Sequence, residues 1–219
     1  MEIEAVIWDF GGVFTTSPFE AFNRYEARMG LPRDLIRRVN ATNPDTNAWA
    51  LFERNEVDAE GFDRLFLAES AALGHPVPGR EVLPQLSGAL RPRMVAALKA
   101  CKRHFKVGCI TNNVVSMHSP GQDEGQRAAG AMAEVMPLFD AIIESSKAGV
   151  RKPDPKIYRM MCDLLAVAPA ACVYLDDLGV NCKPAAALGM TAIKVVDVDQ
   201  TLADLARATG LTFEAEGVA

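Results

Sequence analysis

Four groups of polar residues carry the chemistry this sequence could do. Asp9 closes the apolar run 3–8 and is followed by Phe10-Gly11-Gly12. Thr111, Asn112 and Asn113 close the apolar run 105–110, Lys152 lies in Arg151-Lys152-Pro153-Asp154-Pro155, and Asp176-Asp177 close the run 172–175. If these runs are strands of one parallel sheet, the polar residues gather at its carboxyl edge, where open α/β sheets bind their ligands. Three carboxylates gathered there repel one another unless a cation sits among them, and Mg²⁺ takes carboxylate and water oxygens in octahedral geometry. A carboxylate can also attack phosphorus and form an aspartyl-phosphate. That transfer needs positive charge and directed donors. The Thr111 hydroxyl, the Lys152 ammonium and the backbone N–H groups of the Gly11-Gly12 turn are the donors at hand. Taken singly, each group has a plainer reading: Asp9 and Asp176-Asp177 as helix caps, Lys152 as a solvated lysine, Thr111 as a residue at the edge of the core. Together the four favour chemistry.

The elements that must position these residues can be read from periodicity. Runs 3–8, 105–110, 141–143, 172–175 and 192–196 are short and apolar, as buried parallel strands are. Amphipathic stretches of helical period precede two of them. One covers 93–103, with Met94, Ala97, Leu98 and Cys101 on one face. The other is Pro155–Leu165, with Asp154 placed to cap it and Pro155 suited to its first position. Strands alternating with helices predict βαβ units, an α/β architecture with a Rossmann-like parallel sheet. Residues 17–90 differ: they hold no convincing strand, but four candidate helices near 19–29, 32–40, 46–54 and 58–73, with Pro78-Gly79 and Gly88 as punctuation. We therefore expect a core of 1–14 and 92–219 and an inserted helical cap of 15–91. Trp49 and Phe52 read as the cap's own core. The polar stretch 119–130 reads as a surface excursion.

Composition narrows the classes. With 219 residues and 49% hydrophobic side chains the chain can bury a large core and is not disordered. A net charge of −5 argues against a sequence-independent grip on nucleic acid, which needs a basic surface. No apolar run is long enough to span a bilayer. The five scattered cysteines form no pairing framework, Cys109 and Cys172 sit in apolar runs as core residues, and a cytoplasmic location is expected. His75, His104 and His118 are isolated, without metal-ligand spacing.

Asp9-x-Gly11-Gly12-Val13, Thr111, Lys152-Pro153-Asp154-Pro155 and Asp176-Asp177 resemble, in order, the four motifs of the haloacid dehalogenase superfamily. The stretch from Glu144-Ser145-Ser146 through Lys152-Pro153 to Tyr174-Leu175-Asp176-Asp177 and Lys183-Pro184 looks most like the amino-terminal phosphatase domain of soluble epoxide hydrolases and its bacterial relatives. The resemblance implies a hydrolase with Asp9 as nucleophile and metal ligand, a Gly11 carbonyl on the metal, and Asp177 as the acidic ligand with Asp176 beside it as ligand or support. Thr111 and Lys152 match the catalytic hydroxyl and lysine, Gly11 and Gly12 lie against the phosphoryl group, and Asn112 and Asn113 fall where relatives contact substrate. The implied cofactor is Mg²⁺ and the implied partner a small phosphorylated substrate.

One position departs from the pattern. Two residues after the nucleophile, phosphatases of the superfamily usually carry an aspartate that protonates the leaving group; here it is Gly11. General acid–base help is worth about 10²–10⁴ in rate, so its loss favours substrates whose leaving group departs readily, such as acyl or anomeric phosphates. A catalytically degenerate binding protein and a carbon–halogen hydrolase are the alternatives it leaves open.

Overall fold

The computed structural model describes residues 2–86, 88–112 and 133–213. Five strands, β1 (Ala5–Trp8), β2 (Lys106–Thr111), β3 (Ala141–Glu144), β4 (Cys172–Asp176) and β5 (Thr191–Lys194), form one sheet in the order β3-β2-β1-β4-β5. Every pairing is parallel. The chain steps outward from β1 to β2 and β3, then crosses back to β4 and β5, so the strand order reverses at β1. A crevice for ligands forms at the carboxyl ends of strands at such a point.

Alternation along the strands divides the core into two layers. Val6, Trp8, Val107, Cys109, Val173 and Leu175 face one way and pack on α6 (Pro92–Lys102) and α10 (Val198–Thr209). Ala5, Ile7, Ile110, Cys172 and Tyr174 face the other way and pack on α8 (Pro155–Leu165), which follows the single turn α7 (Ser145–Ala148), and on α9 (Gly179–Ala187). α8 lies so close to β2 that a Cβ on Gly108 would stand 2.6 Å from the Met161 sulfur. Both faces being covered explains why the strands read as continuous apolar runs.

Between β1 and α6 the described residues form five α-helices: α1 (Pro18–Arg28), α2 (Leu35–Ala41), α3 (Ala48–Glu53), α4 (Ala59–Ala72) and the single turn α5 (Gly79–Val82). They bury their own cluster, including Phe22, Tyr25, Leu35, Phe52, Phe62 and Phe66, and Trp49 stands edge-on to Phe62 at 5.1 Å. The two chain segments that lead into and out of this unit pair with each other. Thr15 bridges Leu90 antiparallel, and Arg91 N–H donates to the Phe14 carbonyl at 2.7 Å.

Side-chain caps set several helix starts. Asn47 accepts from Ala50 N–H, Asp58 from Gly61 N–H and Asp154 from Lys156 N–H. α2 starts later than the expected residue 32. The buried Glu26 carboxylate accepts from Asp34 N–H at 2.7 Å and Ile36 N–H at 2.8 Å, and Asp34 is left-handed at φ 59°, so Pro32-Arg33-Asp34 is a turn. The short turn of helix at Gly79–Val82 stands where punctuation was expected. The stretch 119–130 and His118 lie outside the described residues. Among the described residues no helix is long and apolar enough to cross a membrane, and all five cysteines are unpaired.

Candidate active site

The strand register brings the acids together. Trp8 sits beside Leu175 and beside Cys109, so the next residue of β1, Asp9, falls level with Asp176 and Ile110. Asp9 N–H continues the ladder by donating to the Leu175 carbonyl at 2.8 Å. Asp9, Asp176 and Asp177 each place a carboxylate oxygen within 4.8 Å of the others, Asp9 and Asp176 buried and Asp177 half-buried.

Lys152 completes the cluster. Its side chain is 1% exposed, and Nζ lies 2.6 Å from Asp9 Oδ1 and 2.8 Å from Asp176 Oδ2. One buried ammonium against three carboxylates leaves the site negative. Burial and the carboxylates of Asp176 and Asp177 push the Asp9 carboxyl up to about 8, against the opposing pull of Lys152. Burial, and then Asp176, raise Asp177 to about 6. Burial alone would favour neutral Lys152, but Asp176 and Asp9 outweigh it and hold the ammonium charged. A divalent cation among these acids would relieve the same repulsion. The donor set suits a hard cation: all-oxygen, acidic, and with coordination sites still open on Asp9 and Asp177.

The three acids are not equivalent. Asp176 is wholly buried and both its oxygens are engaged. Oδ1 accepts from Leu178 N–H at 2.8 Å; Oδ2 accepts from the Tyr174 hydroxyl at 2.6 Å and from Lys152; and Asn181 Nδ2 stands 3.1 Å from each oxygen. Asp9 Oδ1 is held by Phe10 N–H at 2.7 Å and by Lys152, while no hydrogen bond among the described residues reaches Oδ2. Asp177 packs on the Gly11-Gly12 turn: a Cβ at Gly12, whose φ is +73°, would stand 2.2 Å from Asp177 Oδ2. Only glycine at position 12 leaves room for that carboxylate.

The other residues singled out from the sequence fall as follows. Thr111, 5% exposed, ends β2 at the same sheet edge. Gly11 is exposed, and a Cβ built there meets nothing within 4 Å. Gly12 N–H donates to Thr15 Oγ1 at 3.3 Å, so it is partly diverted from a ligand. The Asn112 amide is spent on the protein. Oδ1 accepts from Lys152 N–H at 2.9 Å, and Nδ2 donates to the Lys152 carbonyl at 3.1 Å and to Glu53 Oε2 at 3.2 Å. Asn112 thus clamps the backbone of Lys152. Asn113 lies outside the described residues.

Sequence reasoning missed Tyr174, Glu53 and Arg151. A signal existed for Tyr174: two residues before Asp176 on the same strand, it shares that residue's face. Its ring stands edge-on to Tyr158, whose hydroxyl donates to the Asn181 carbonyl at 2.8 Å, so both tyrosines brace the Asp176 support.

A family model described as haloacid dehalogenase-like hydrolase matches residues 3–189. The chain belongs to that family. It is a hydrolase of the family, built on its α/β Rossmann-like sheet. It is 41% identical over 96% of its length to bifunctional epoxide hydrolase 2 of Sus scrofa. The chain spans 40% of the length of that relative and of its rodent counterparts. A sesquiterpene phosphatase of Aspergillus oryzae is 28% identical, with 94% of this chain and 97% of that one covered. Among solved structures, a haloacid dehalogenase family enzyme of Bacteroides thetaiotaomicron, determined with magnesium and inorganic phosphate, superposes with a TM-score of 0.57 at 15% identity, covering 88% of this chain and 93% of that one. At that identity the likeness is one of fold.

Proposed function

We propose that this hydrolase is a Mg²⁺-dependent phosphatase acting on a small phosphorylated substrate, with residues 15–91 as a cap over a core of 1–14 and 92–219. The observation that carries the reading is the buried Lys152 ammonium bridging Asp9 and Asp176 at the reversal point of the sheet. Phosphatase relatives support it.

Asp9 Oδ2 is the attacking oxygen, since Oδ1 is fixed by Phe10 N–H and Lys152. It forms a bond to phosphorus in line with the leaving oxygen, whose bond to phosphorus breaks. Water then attacks the aspartyl-phosphate, releasing inorganic phosphate and restoring the carboxylate. Lys152 eases ionisation of Asp9 against the pull of burial, orients it, and stands beside the charge that builds on the phosphoryl oxygens. Thr111 offers its hydroxyl to the same oxygens. Asp9, Asp177 and the Gly11 carbonyl would hold Mg²⁺, with Asp176 supporting Lys152 rather than ligating. When bound, the ion supplies charge neutralisation to the transferring group.

The test is a screen of small phosphorylated metabolites for phosphate release in Mg²⁺. Release that EDTA abolishes and added Mg²⁺ restores is expected. No release above blank from any of them would leave a binding role for the fold, and halide release without a metal requirement would favour carbon–halogen cleavage.

A second prediction addresses the missing acid. Gly11 is exposed with free space about its Cβ position, so Gly11→Asp fits without displacing a neighbour. The variant should raise kcat/KM toward an alkyl phosphate by about 10²-fold, the lower range of general-acid help. Toward p-nitrophenyl phosphate, whose leaving group needs no proton, it should change little. Equal effects on both substrates would show that position 11 does not face the leaving group.

A further inference from the structure

At the end of α3, the last residue, Glu53, reaches out of the helical unit into the loops that carry Lys152. Its carboxylate is buried, and each oxygen is used. Oε1 accepts from Trp49 Nε1 at 2.9 Å, one helical turn back. Oε2 lies 2.7 Å from Arg151 Nε, in a close ion pair rather than an aligned hydrogen bond, and accepts from Asn112 Nδ2 at 3.2 Å. The main-chain carbonyl of the same residue accepts from Ser145 Oγ at 2.7 Å, and Arg151 Nη1 donates in return to the Pro44 carbonyl at 2.9 Å. One residue of the insert is therefore tied to three residues on the connections that follow β2 and β3 at the carboxyl edge of the sheet.

Two of those ties converge on Lys152. Arg151 precedes it in the chain. Asn112 clamps its peptide N–H and carbonyl, and the donor Asn112 offers Glu53 is the same amide nitrogen that holds the Lys152 carbonyl. The Lys152 side chain then runs inward to Asp9 and Asp176. A cavity of about 370 Å³ opens beside this junction, lined by Asp45, Arg54, Arg151, Pro153 and Asp154 among others. The polar ties bridge the helical unit to the loop of Lys152 beside that cavity. Bonds to a buried charged group are among the stronger ones, and each is lost in full if the partner moves away.

We infer that Glu53 is a positioning residue: it couples docking of the helical unit to the placement of Lys152, so the charged centre is complete only when α3 is seated. The role rests on the phosphatase reading for its kinetic consequence, but not for its structural one.

The test uses the full chain with Glu53→Gln. This variant keeps an acceptor for Trp49 and removes the charge that faces Arg151. Below its melting temperature, and at saturating Mg²⁺, kcat on p-nitrophenyl phosphate should fall by about 10- to 100-fold, the scale of small misplacements of reacting groups. KM should stay within about twofold of the parent, because a misplaced Lys152 loses an interaction made in the transition state rather than ground-state binding. The double variant Glu53→Gln with Arg151→Gln should lose little more than either single variant. Hydrogen exchange, followed in parallel, should quicken together in α3 and in residues 149–154. Wild-type kcat in the folded Glu53→Gln protein, or faster exchange confined to α3, would overturn the inference. Should the wild-type chain release no phosphate from any substrate, the phosphatase reading falls, and the exchange measurement alone decides the coupling.

Discussion

An Asp9→Asn variant is expected to fold normally and to release no phosphate. Asparagine keeps an Oδ1 acceptor for Phe10 N–H and Lys152, the two contacts that hold this side chain, so the local geometry survives. What is lost is the anionic second oxygen, and a neutral amide is too weak a nucleophile to displace an alkoxide from phosphorus. kcat should drop by about 10⁴-fold or more, the range seen when a covalent nucleophile is removed from a machinery that acts as a unit. The stability of the metal-free protein should move the other way. Burial and two neighbouring acids disfavour the Asp9 charge, raising its carboxyl to about 8, so folding at neutral pH requires proton uptake there. The sign follows. A carboxyl raised on folding costs stability above its ordinary value, and the cost grows until pH passes the raised value. A neutral amide at position 9 removes that cost, so the variant's Tm in EDTA should match or exceed the wild type's at pH 8, and the difference should vanish toward pH 4. Steady-state phosphate release and melting curves at two pH values check both halves. Retained turnover would refute the nucleophile assignment.

How far this site could be read from the chain alone depends on the kind of contact. Asp9, Thr111 and Asp176-Asp177 were visible because buried parallel strands appear as bare apolar runs that end on these polar residues, and Lys152 because prolines bound its segment. The sheet register then gathers three of them automatically, since β1 is flanked by β2 on one side and β4 on the other. The start of α8 was visible for a local reason: Asp154 and Pro155 act on their own helix end. The start of α2 was not, because the residue that fixes it, Glu26, acts from the preceding helix. Glu53 was hidden for the same reason in stronger form. Its partners Asn112, Ser145 and Arg151 lie 59, 92 and 98 positions away, the last by subtraction of 53 from 151. No spacing rule connects them. The contacts of Asn112 were hidden on similar grounds. The sequence places it beside Thr111, but only the fold brings its amide onto the Lys152 backbone. Likewise, the sequence left Asp176 as ligand or support, and the five approaches that occupy it come from Tyr174, Leu178, Lys152 and Asn181.

Removing the ammonium at position 152 should affect rate, stability and pH response at once. In Lys152→Met the aliphatic stem is replaced at similar length, and the three acids lose their internal cation. Transition-state charge on the phosphoryl oxygens loses a preorganised partner, worth about 10²–10³ in kcat. Breaking a buried ion pair by deleting one member costs about 3–5 kcal/mol, because the other member stays buried. For a chain of this length that lowers Tm by about 6–20 °C. The variant's loss should also depend on pH. Lys152 pulls the Asp9 carboxyl down, so without it Asp9 ionises at a still higher pH than the wild-type value of about 8. Wild-type Asp9 stops adding cost once pH passes 8, whereas the variant's continues to add it. In EDTA the gap between the two melting temperatures should therefore widen as pH rises through 8, and the alkaline shift should appear as an activity profile displaced upward in pH. Lys152→Arg should not rescue turnover: the side chain is 1% exposed between two carboxylates 2.6 and 2.8 Å from Nζ, a space that suits a compact ammonium and not a planar guanidinium. Full activity in either variant, or a melting gap that narrows with rising pH, would mean that the cation at the centre of this site is not what keeps Asp9 ready to react.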